Sequence, residues 1–306
     1  MGMPQALRPI AVTVNWNRAN DTLECIDSLF KGNQGVRVLV VDNGSTDGSV
    51  SLLKERYPGL EMIENDKNLG YVRGANQGVR RALELDASHI LLINNDAIAR
   101  PGMLEKLMDA MDKHPQAGVV GPKIFYYGTD MMWFNGGHFN HLLGLSTHPL
   151  MDRLDDGGDQ DREVEFITGC AMLVRSQVFR EIGLFDEDFE IYTEDLDFCL
   201  RAKDHGYEVW LVPGAVAEHK VSISTGVSGS NLMTPYRSYF YARNMLMMVR
   251  KRKKGFRFMT CFLGQTFILI PYYFFLMGIQ RTKGSFRQYL RGYAHAFKGI
   301  LEGRYG

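Results

Sequence analysis

Short apolar runs alternate with amphipathic segments across residues 10–125. Ile10–Asn15, Val36–Val41, Leu60–Glu64, His89–Asn94 and Val119–Phe125 read as strands. The unbroken aliphatic character of runs such as VRVLVV and HILLI fits strands buried on both faces of a parallel sheet. Between them, Asn20–Phe30 sets Leu23, Ile26, Leu29 and Phe30 on one helical face. Helices are also predicted over Val50–Tyr57, Gly70–Leu85 and Pro101–His114, the last with proline near its start, where a missing N–H does no harm. This alternation predicts βαβ units and an α/β domain with a mainly parallel central sheet flanked by helices.

From Tyr126 to Asp161 the periodicity fades, which predicts long loops with short strands. Order returns at Glu163–Arg175, followed by a helix over Glu194–His205, a strand over Glu208–Val212 and a helix over Tyr236–Lys251. Phe258–Ile279 has no charged residue and many aromatics, and just meets the ~20 residues that a bilayer span needs. Pro271 and Gln265 weaken a spanning reading, and basic residues on both flanks give no orientation. Ser285–Glu302 sets Phe286, Tyr289, Leu290, Tyr293, Phe297, Ile300 and Leu301 at helical spacing against Arg287, Arg291 and Lys298, with Arg304 just beyond. That is a basic amphipathic helix suited to an anionic membrane surface, a reading favoured over a helical pair packed on the preceding domain or across a homodimer. The expected organisation is one domain over residues 1–235, with halves meeting near 125, and a membrane-associating helical extension over 236–306.

The chain has 306 residues and a formal net charge of zero, so no overall field points to nucleic acid as a partner. Its four cysteines lie far apart with no CxxC pair, which argues against a disulfide framework or a zinc site and for a reducing compartment. The N-terminus lacks the basic-then-apolar pattern of a secretory signal.

Candidate chemistry sits at the expected strand ends, where ligands of open α/β sheets bind. His89–Asp96 (HILLINND) ends in an amide pair and Asp96, a carboxylate placed to bridge a hard cation to phosphate oxygens. His219, in AVAEHKVS, is the best-placed second donor. Asp42, in VVDNGSTDGS, could accept hydrogen bonds from a base or ribose, or could equally cap a turn. Glycines at 70, 74 and 78 line one face of the helix begun by DKNLGYVRGANQG. They imply close approach of either a phosphate, with Arg73 and first-turn amides meeting the anion, or a neighbouring strand. In YTEDLDFCLR, Glu194, Asp195 and Asp197 favour a helix N-terminus, and Asp197 can pair with Arg201. One of these carboxylates could instead act as a general base toward an acceptor hydroxyl.

Taken in order, these fragments resemble family 2 glycosyltransferases of GT-A fold (the nucleotide-diphospho-sugar transferase fold), and in particular the rhamnosyltransferase-like branch. The resemblance runs from about Ile10 to Asn244. TVNWN matches the first-strand motif, with Trp16 in the aromatic place and Asn17 in the amide place beside Asn15. VVDNGSTDGS matches the nucleotide-binding strand end, and NLGYVRGANQG the Asn-x-Gly-Phe-x-x-Gly-x-Asn-x-Gly segment, with Tyr71 in the Phe place. LLINNDA matches the metal-binding Asp-x-Asp region, Phe166–Tyr207 the acceptor-side block, and PGAVAEH the terminal histidine. YFYARN (Tyr239–Asn244) resembles a segment typical of the branch.

The resemblance implies a nucleotide diphospho-sugar site of Asn15, Trp16, Asn17, Asp42, Asn68, Gly70, Arg73, Asn76, Asn94 and Asn95. It implies Mg²⁺ or Mn²⁺ on Asp96 and His219, Asp195 as base beside Glu194, and an acceptor side of Gly169, Cys170, Asp197 and Arg201. Asn94 replaces the common first Asp of the metal region, and Cys170 a common Ala. The implied reaction is inverting transfer of rhamnose or a hexose from a dTDP- or UDP-sugar to a saccharide or polyprenyl-linked acceptor, at the cytoplasmic face of the plasma membrane, in surface polysaccharide synthesis. Two alternatives remain. A nucleotidyltransferase would need a glycine-rich loop after the first strand, and NWNRAND has no glycine. A degenerate membrane scaffold or sugar-binding module would not need Asp42, Asp96, Asp195 and His219 together.

Overall fold

The aliphatic runs become the middle of one sheet because each is apolar on both faces and helices cover both. The computed structural model describes residues 8–32, 36–155, 157–158, 160–221 and 233–305. β1 (Pro9–Asn15) lies between β2 (Arg37–Asp42) and β4 (His89–Ile93), parallel to both, and β3 (Glu61–Glu64) extends the sheet beyond β2. Every residue of β4 is buried. β6 (Ala117–Tyr126), β10 (Arg162–Glu163), β11 (Ala171–Arg175) and β12 (Glu208–His219) complete the order β10-β12-β6-β11-β4-β1-β2-β3. Two short strands add to this path, β5 (Ala97–Ala99) on β12 and β7 (Met132–Phe134) on β6. The two expected halves therefore share one hydrogen-bonded sheet, because β11 returns antiparallel between β4 and β6.

Helices α1 (Ala19–Gly32), α2 (Ser49–Arg56), α3 (Tyr71–Glu84), α4 (Met103–Lys113) and α6 (Glu194–Asp204) follow the predicted segments, and α5 (Ser176–Ile182) is a short helix not predicted from the sequence. The glycine face of α3 is settled as strand contact at two of its three positions. A Cβ on Gly78 would overlap Val12 Cγ1, and one on Gly74 would stand 3.1 Å from Val14 Cγ1. Gly70 differs: its φ of +86° starts the helix, and a Cβ there would meet only the Glu190 carbonyl, at 3.9 Å.

Two departures from the sequence expectation bear on the site. β12 runs on to His219 instead of stopping at Val212. A register shift between Val212 and Val216 absorbs Pro213 and Gly214, and pairing with β6 and β5 resumes beyond it. In the C-terminal region, α7 (Pro235–Arg252) leads into α8 (Gly255–Gly264), one wide π turn (Gln265–Leu269), α9 (Ile270–Ile279) and α10 (Ser285–Leu301). The wide turn precedes Pro271, whose ring would otherwise crowd the preceding turn of a regular helix.

Gly78→Ala tests the packing assignment. It should lower stability by about 1–3 kcal/mol in urea unfolding through overpacking against Val12. A variant as stable as the parent would remove the strand-contact role of this glycine.

Candidate functional site

The carboxyl ends of β1, β2 and β4 carry a buried polar layer of Asn15, Asp42, Asn43 and Asp96. Asn15 and Asp42 are register partners, and Asn15 Nδ2 donates to Asp42 Oδ1 at 2.7 Å. Asp42, only 2% exposed, also accepts from the Ser45 hydroxyl (2.6 Å) and the Ser45 backbone N–H (2.9 Å). Asn17 Oδ1 accepts from Thr46 N at 2.7 Å, and Asn17 N donates to Ser45 Oγ at 2.8 Å. Asp42 and Asn17 thus build the turn after β2. Trp16 stands on its rim with 44% of its surface exposed.

Asn43 is a residue that sequence reasoning missed. Its Nδ2 donates to Asn68 Oδ1 (2.9 Å) and the Gly70 carbonyl (3.1 Å), and its Oδ1 accepts from Leu69 N (3.1 Å). It ties the turn after β2 to the turn before α3, where Asn68 Oδ1 also accepts from Gly70 N at 2.8 Å. Its position next to Asp42 was the available signal. Arg73 pairs with Glu187 at 3.3 Å on the surface. Asn76 points into the fold, where its amide exchanges two bonds with the Phe185 backbone, at 2.9 and 3.1 Å.

Past β4 the three polar residues diverge. Asn94 receives the chain of β11 through its N–H, which donates to the Cys170 carbonyl at 2.9 Å. Its buried Oδ1 has no hydrogen-bond partner among the described residues. Asn95 Nδ2 turns toward α1 and donates to Thr22 Oγ1 at 3.1 Å. Asp96 meets His219, with Oδ1 and Nε2 3.0 Å apart, and the edge of Trp133 packs on the imidazole with ring centroids 4.3 Å apart. Among the described residues no group of three or more His, Cys, Asp or Glu could hold a metal by itself. The pair still fits a cation that takes its other ligands from water and phosphate. Two adjacent ligands of an octahedral ion at ~2.1 Å are themselves about 3.0 Å apart, the separation seen here.

On the facing side, Glu194 and Asp195 open α6, Glu194 buried and Asp195 half-buried. Asp195 Oδ2 accepts from Gly169 N (2.9 Å), Oδ1 accepts from Leu196 N (2.8 Å), and the Thr168 hydroxyl adds a third bond. Burial raises the Asp195 carboxyl above its ordinary value, and these donors pull it partly back. Glu194 is raised further, by burial and then by the Asp195 charge, and its Oε2 has no partner among the described residues. With N–H donors on both oxygens of Asp195 and none on Glu194 Oε2 among the described residues, the geometry favours the negative charge on Asp195 over Glu194. Between the two sides lies Tyr71, whose buried hydroxyl donates to the Gly169 carbonyl at 3.4 Å. Burial pushes that phenol well up, and Glu194, Asp195, Cys170 and Asp96 push it further. Burial likewise raises the Cys170 thiol, with Asp96 and Asp195 adding to it. Tyr71 and Asp195 thus converge on Gly169, and the Cys170 carbonyl beside it is bonded to the Asn94 N–H, two residues before Asp96.

The segment leading to Glu194 is unusual. Glu190, Tyr192 and Thr193 all have positive φ (61°, 65° and 74°), which favours glycine. Its carbonyls are held from α7. Asn244 Nδ2 donates to Phe189 O, Ile191 O and Tyr192 O at 2.8, 2.7 and 2.8 Å. Arg243 bonds the Asp188 and Phe189 carbonyls (2.8 and 3.1 Å) and the Glu190 carboxylate (2.6 Å). The motif YFYARN was visible in the sequence, but this role was not. Asp197 and Arg201 make their contacts inside the fold: Arg201 Nε donates to Asp197 Oδ2 at 2.7 Å, and its other nitrogens reach the carbonyls of Ile182 and Leu184.

Comparison with known proteins agrees with the family and fold expected from the motifs. Residues 10–183, more than half the chain, match the family described as glycosyl transferase family 2. The N-acetylglucosaminyl-diphospho-decaprenol L-rhamnosyltransferase of Mycobacterium tuberculosis is 30% identical over 213 residues, 62% of this chain and 68% of that protein. The dTDP-rhamnosyl transferase RfbF of Shigella flexneri is 25% identical over 248 residues, 79% of each chain. Among solved structures, the mannosyltransferase PcManGT of Pyrobaculum calidifontis, in complex with GDP-Man and Mn²⁺, superposes with a TM-score of 0.56 at 14% identity, over 96% of this chain and 86% of that one. The fold is GT-A, and the nucleotidyltransferase alternative falls away. The chain belongs to glycosyl transferase family 2.

Proposed function

We propose that this glycosyltransferase moves a sugar from a nucleotide diphospho-sugar to a hydroxyl of a saccharide or polyprenyl-linked acceptor, with inversion, during cell-surface polysaccharide synthesis. The mycobacterial and Shigella relatives are both rhamnosyltransferases, which favours rhamnose, and the Shigella protein's dTDP-rhamnose donor favours dTDP. The observation that carries the reading is the chain of contacts that joins Asp195 and Tyr71, through Gly169 and Cys170, to the strand end bearing Asp96. In this reading Trp16 offers its exposed ring to the base, and the turn built by Asp42, Asn17 and Asn43 receives the nucleotide. Asp96 and His219 would hold Mg²⁺ or Mn²⁺. The chemistry such a cation supplies when bound is neutralisation of charge on the departing diphosphate.

Asp195 takes the proton of the acceptor hydroxyl as it attacks the anomeric carbon. A double displacement would need a second, nucleophilic carboxylate on the opposite side of the sugar. The neighbouring acid, Glu194, sits on the same helix turn. A single displacement with inversion follows. Arg243 and Asn244 act as positioning residues by fixing the loop that aims this pair. The basic C-terminal helices hold the protein at the inner face of the plasma membrane, where a polyprenyl-linked acceptor presents its saccharide.

A thermal-shift screen of nucleotide sugars with and without Mn²⁺ tests the donor assignment, since specific binding raises apparent stability by mass action. No stabilisation by any of them would remove it. Asp96→Ala should abolish the Mn²⁺-dependent part of donor affinity in calorimetry, and unchanged affinity would reject the metal role. Asp195→Asn should cut turnover ~10²–10⁴-fold with donor affinity nearly intact. Because Asp195 must be ionised and its carboxyl is raised, parent turnover should fall with falling pH above the usual aspartate range near 4. An acid limb at or below that range would contradict the burial argument. Asn244→Asp removes the donor to three carbonyls and should lower turnover about 10–100-fold, with donor affinity little changed. Equal loss in donor affinity would make Asn244 a general stabiliser and not a positioning residue.

A further inference from the structure

We propose that the α8–α9 helix lies in the plane of an anionic bilayer and does not cross it. This rests on the membrane contact argued above and fixes its geometry. Gly255–Ile279 is long and apolar enough to span by composition. One face of it, however, is docked on the protein from end to end. Cys261, Gln265, Leu269, Tyr273 and Met277, spaced every four residues, are all buried. Cys261 Sγ donates to the His141 carbonyl (3.4 Å), and Gln265 Nε2 donates to the Gly144 carbonyl (3.0 Å). A Cβ on Gly264 would come within 2.9 Å of Leu143 Cδ2, so helix and loop touch closely there. Farther along, Tyr273 packs on Tyr241 of α7 and Tyr289 of α10, with ring centroids 5.3 and 5.1 Å apart. Just past the helix end, Gln280 Oε1 accepts from Met233 N at 3.1 Å.

A helix in contact with the body along its whole length cannot be ringed by lipid. The chain also returns to the body on both sides. α10 lies so close on α7 that a Cβ at Gly292 would overlap the Tyr239 carbonyl. Spanning would require the helix to leave all these contacts and to carry Gln265 into hydrocarbon without its Gly144 partner.

The opposite face is exposed and apolar. Phe256 is 82% exposed, Phe267 71%, Phe275 70% and Ile279 67%, with Met259 and Leu263 also open. Soluble surfaces do not ordinarily gather such side chains together. The segment Gly255–Leu301 carries Arg257, Arg281, Lys283, Arg287, Arg291 and Lys298 and no Asp or Glu, although the whole chain is neutral. Of these six cations only Lys298 has an acidic partner among the described residues, Glu302 at 3.8 Å. Apolar side chains among such cations match the acyl boundary and anionic headgroups of a bilayer, which is the pattern of an in-plane helix.

The test uses the full chain and vesicles of phosphatidylcholine with or without phosphatidylglycerol. Flotation should show binding that needs phosphatidylglycerol and weakens as salt rises. Phe267→Asp with Phe275→Asp should weaken binding roughly tenfold or more per residue while sparing donor-induced thermal stabilisation. Depth is read by bromolipid quenching of Phe256→Trp, Phe267→Trp and Phe275→Trp, each as the difference from the parent. Similar, shallow quenching at all three positions supports the proposal. Deep quenching at 267 with shallow quenching at 256 would overturn it in favour of a span, while leaving membrane attachment intact. Sedimentation as a dimer with no vesicle binding would overturn both, assign the face to a second copy of the chain, and leave sugar transfer untouched.

Discussion

The contact on which the geometry of the candidate site depends is the grip of Arg243 and Asn244 on the carbonyls of residues 188–192. Three non-glycine residues with positive φ cost about 1–2 kcal/mol each when nothing compensates them. The loop keeps this shape because its carbonyls, turned away from any regular helix or strand, find donors on α7. One side-chain amide and one guanidinium supply them, and Arg243 is itself oriented by a bond from its Nε to Asn244 Oδ1 at 2.9 Å. The same end of α7 adds Lys251, whose ammonium bonds Asp186 and Asp188 at 2.6 Å each. The strained turn ends directly at Glu194, so the direction in which the acid pair projects is set by a helix some fifty residues later in the chain.

That direction matters because the two acids differ only in what surrounds them. Both lose water on burial. Asp195 regains two backbone N–H donors and a hydroxyl, and Glu194 regains little. A small rotation of the helix start would part Asp195 from Gly169 N and remove a donor that favours negative charge on Asp195 over Glu194. Gly169 therefore serves through its N–H and its carbonyl, which bond Asp195 and Tyr71. The β11–β4 pairing, continued by the Asn94 N–H bond to the Cys170 carbonyl, carries that link to the strand bearing Asp96.

The strands and helices were legible because apolar spacing is a local property, and the family was legible because its motifs are local too; the structure sets Asp96 against His219 and Asp195 against Gly169. What the sequence hid was pairing over distance. β12 looked broken at Pro213–Gly214, and only the resumed ladder with β6 and β5 shows that it continues to His219. Asn76 read like a cleft amide, yet its partner, the Phe185 backbone, lies 109 residues away and faces the interior. Glycines 74 and 78 left two readings open until Val14 and Val12 were seen against them. Arg243 and Asn244 stood in a quoted motif without a role, because that role belongs to carbonyls whose exposure follows from an unusual backbone path.

α7 also joins the two ends of the reaction. Arg243 and Asn244 face the acid pair's loop, while Tyr239, Tyr241 and Ser238 meet α10 and α9, through His295, Tyr273 and Met277. The apolar face of α8–α9 and the proposed base Asp195 are thus tied to one helix, whose residues from Ala242 to Val249 are all sequestered from solvent. An acceptor carried on a lipid is confined to a plane, and its saccharide can approach only at a set height above that plane. Under the proposed function, a helix that ties the lipid-facing surface to Asp195 sets that height in advance, so alignment of the acceptor hydroxyl with Asp195 need not be found by a free tumbling search.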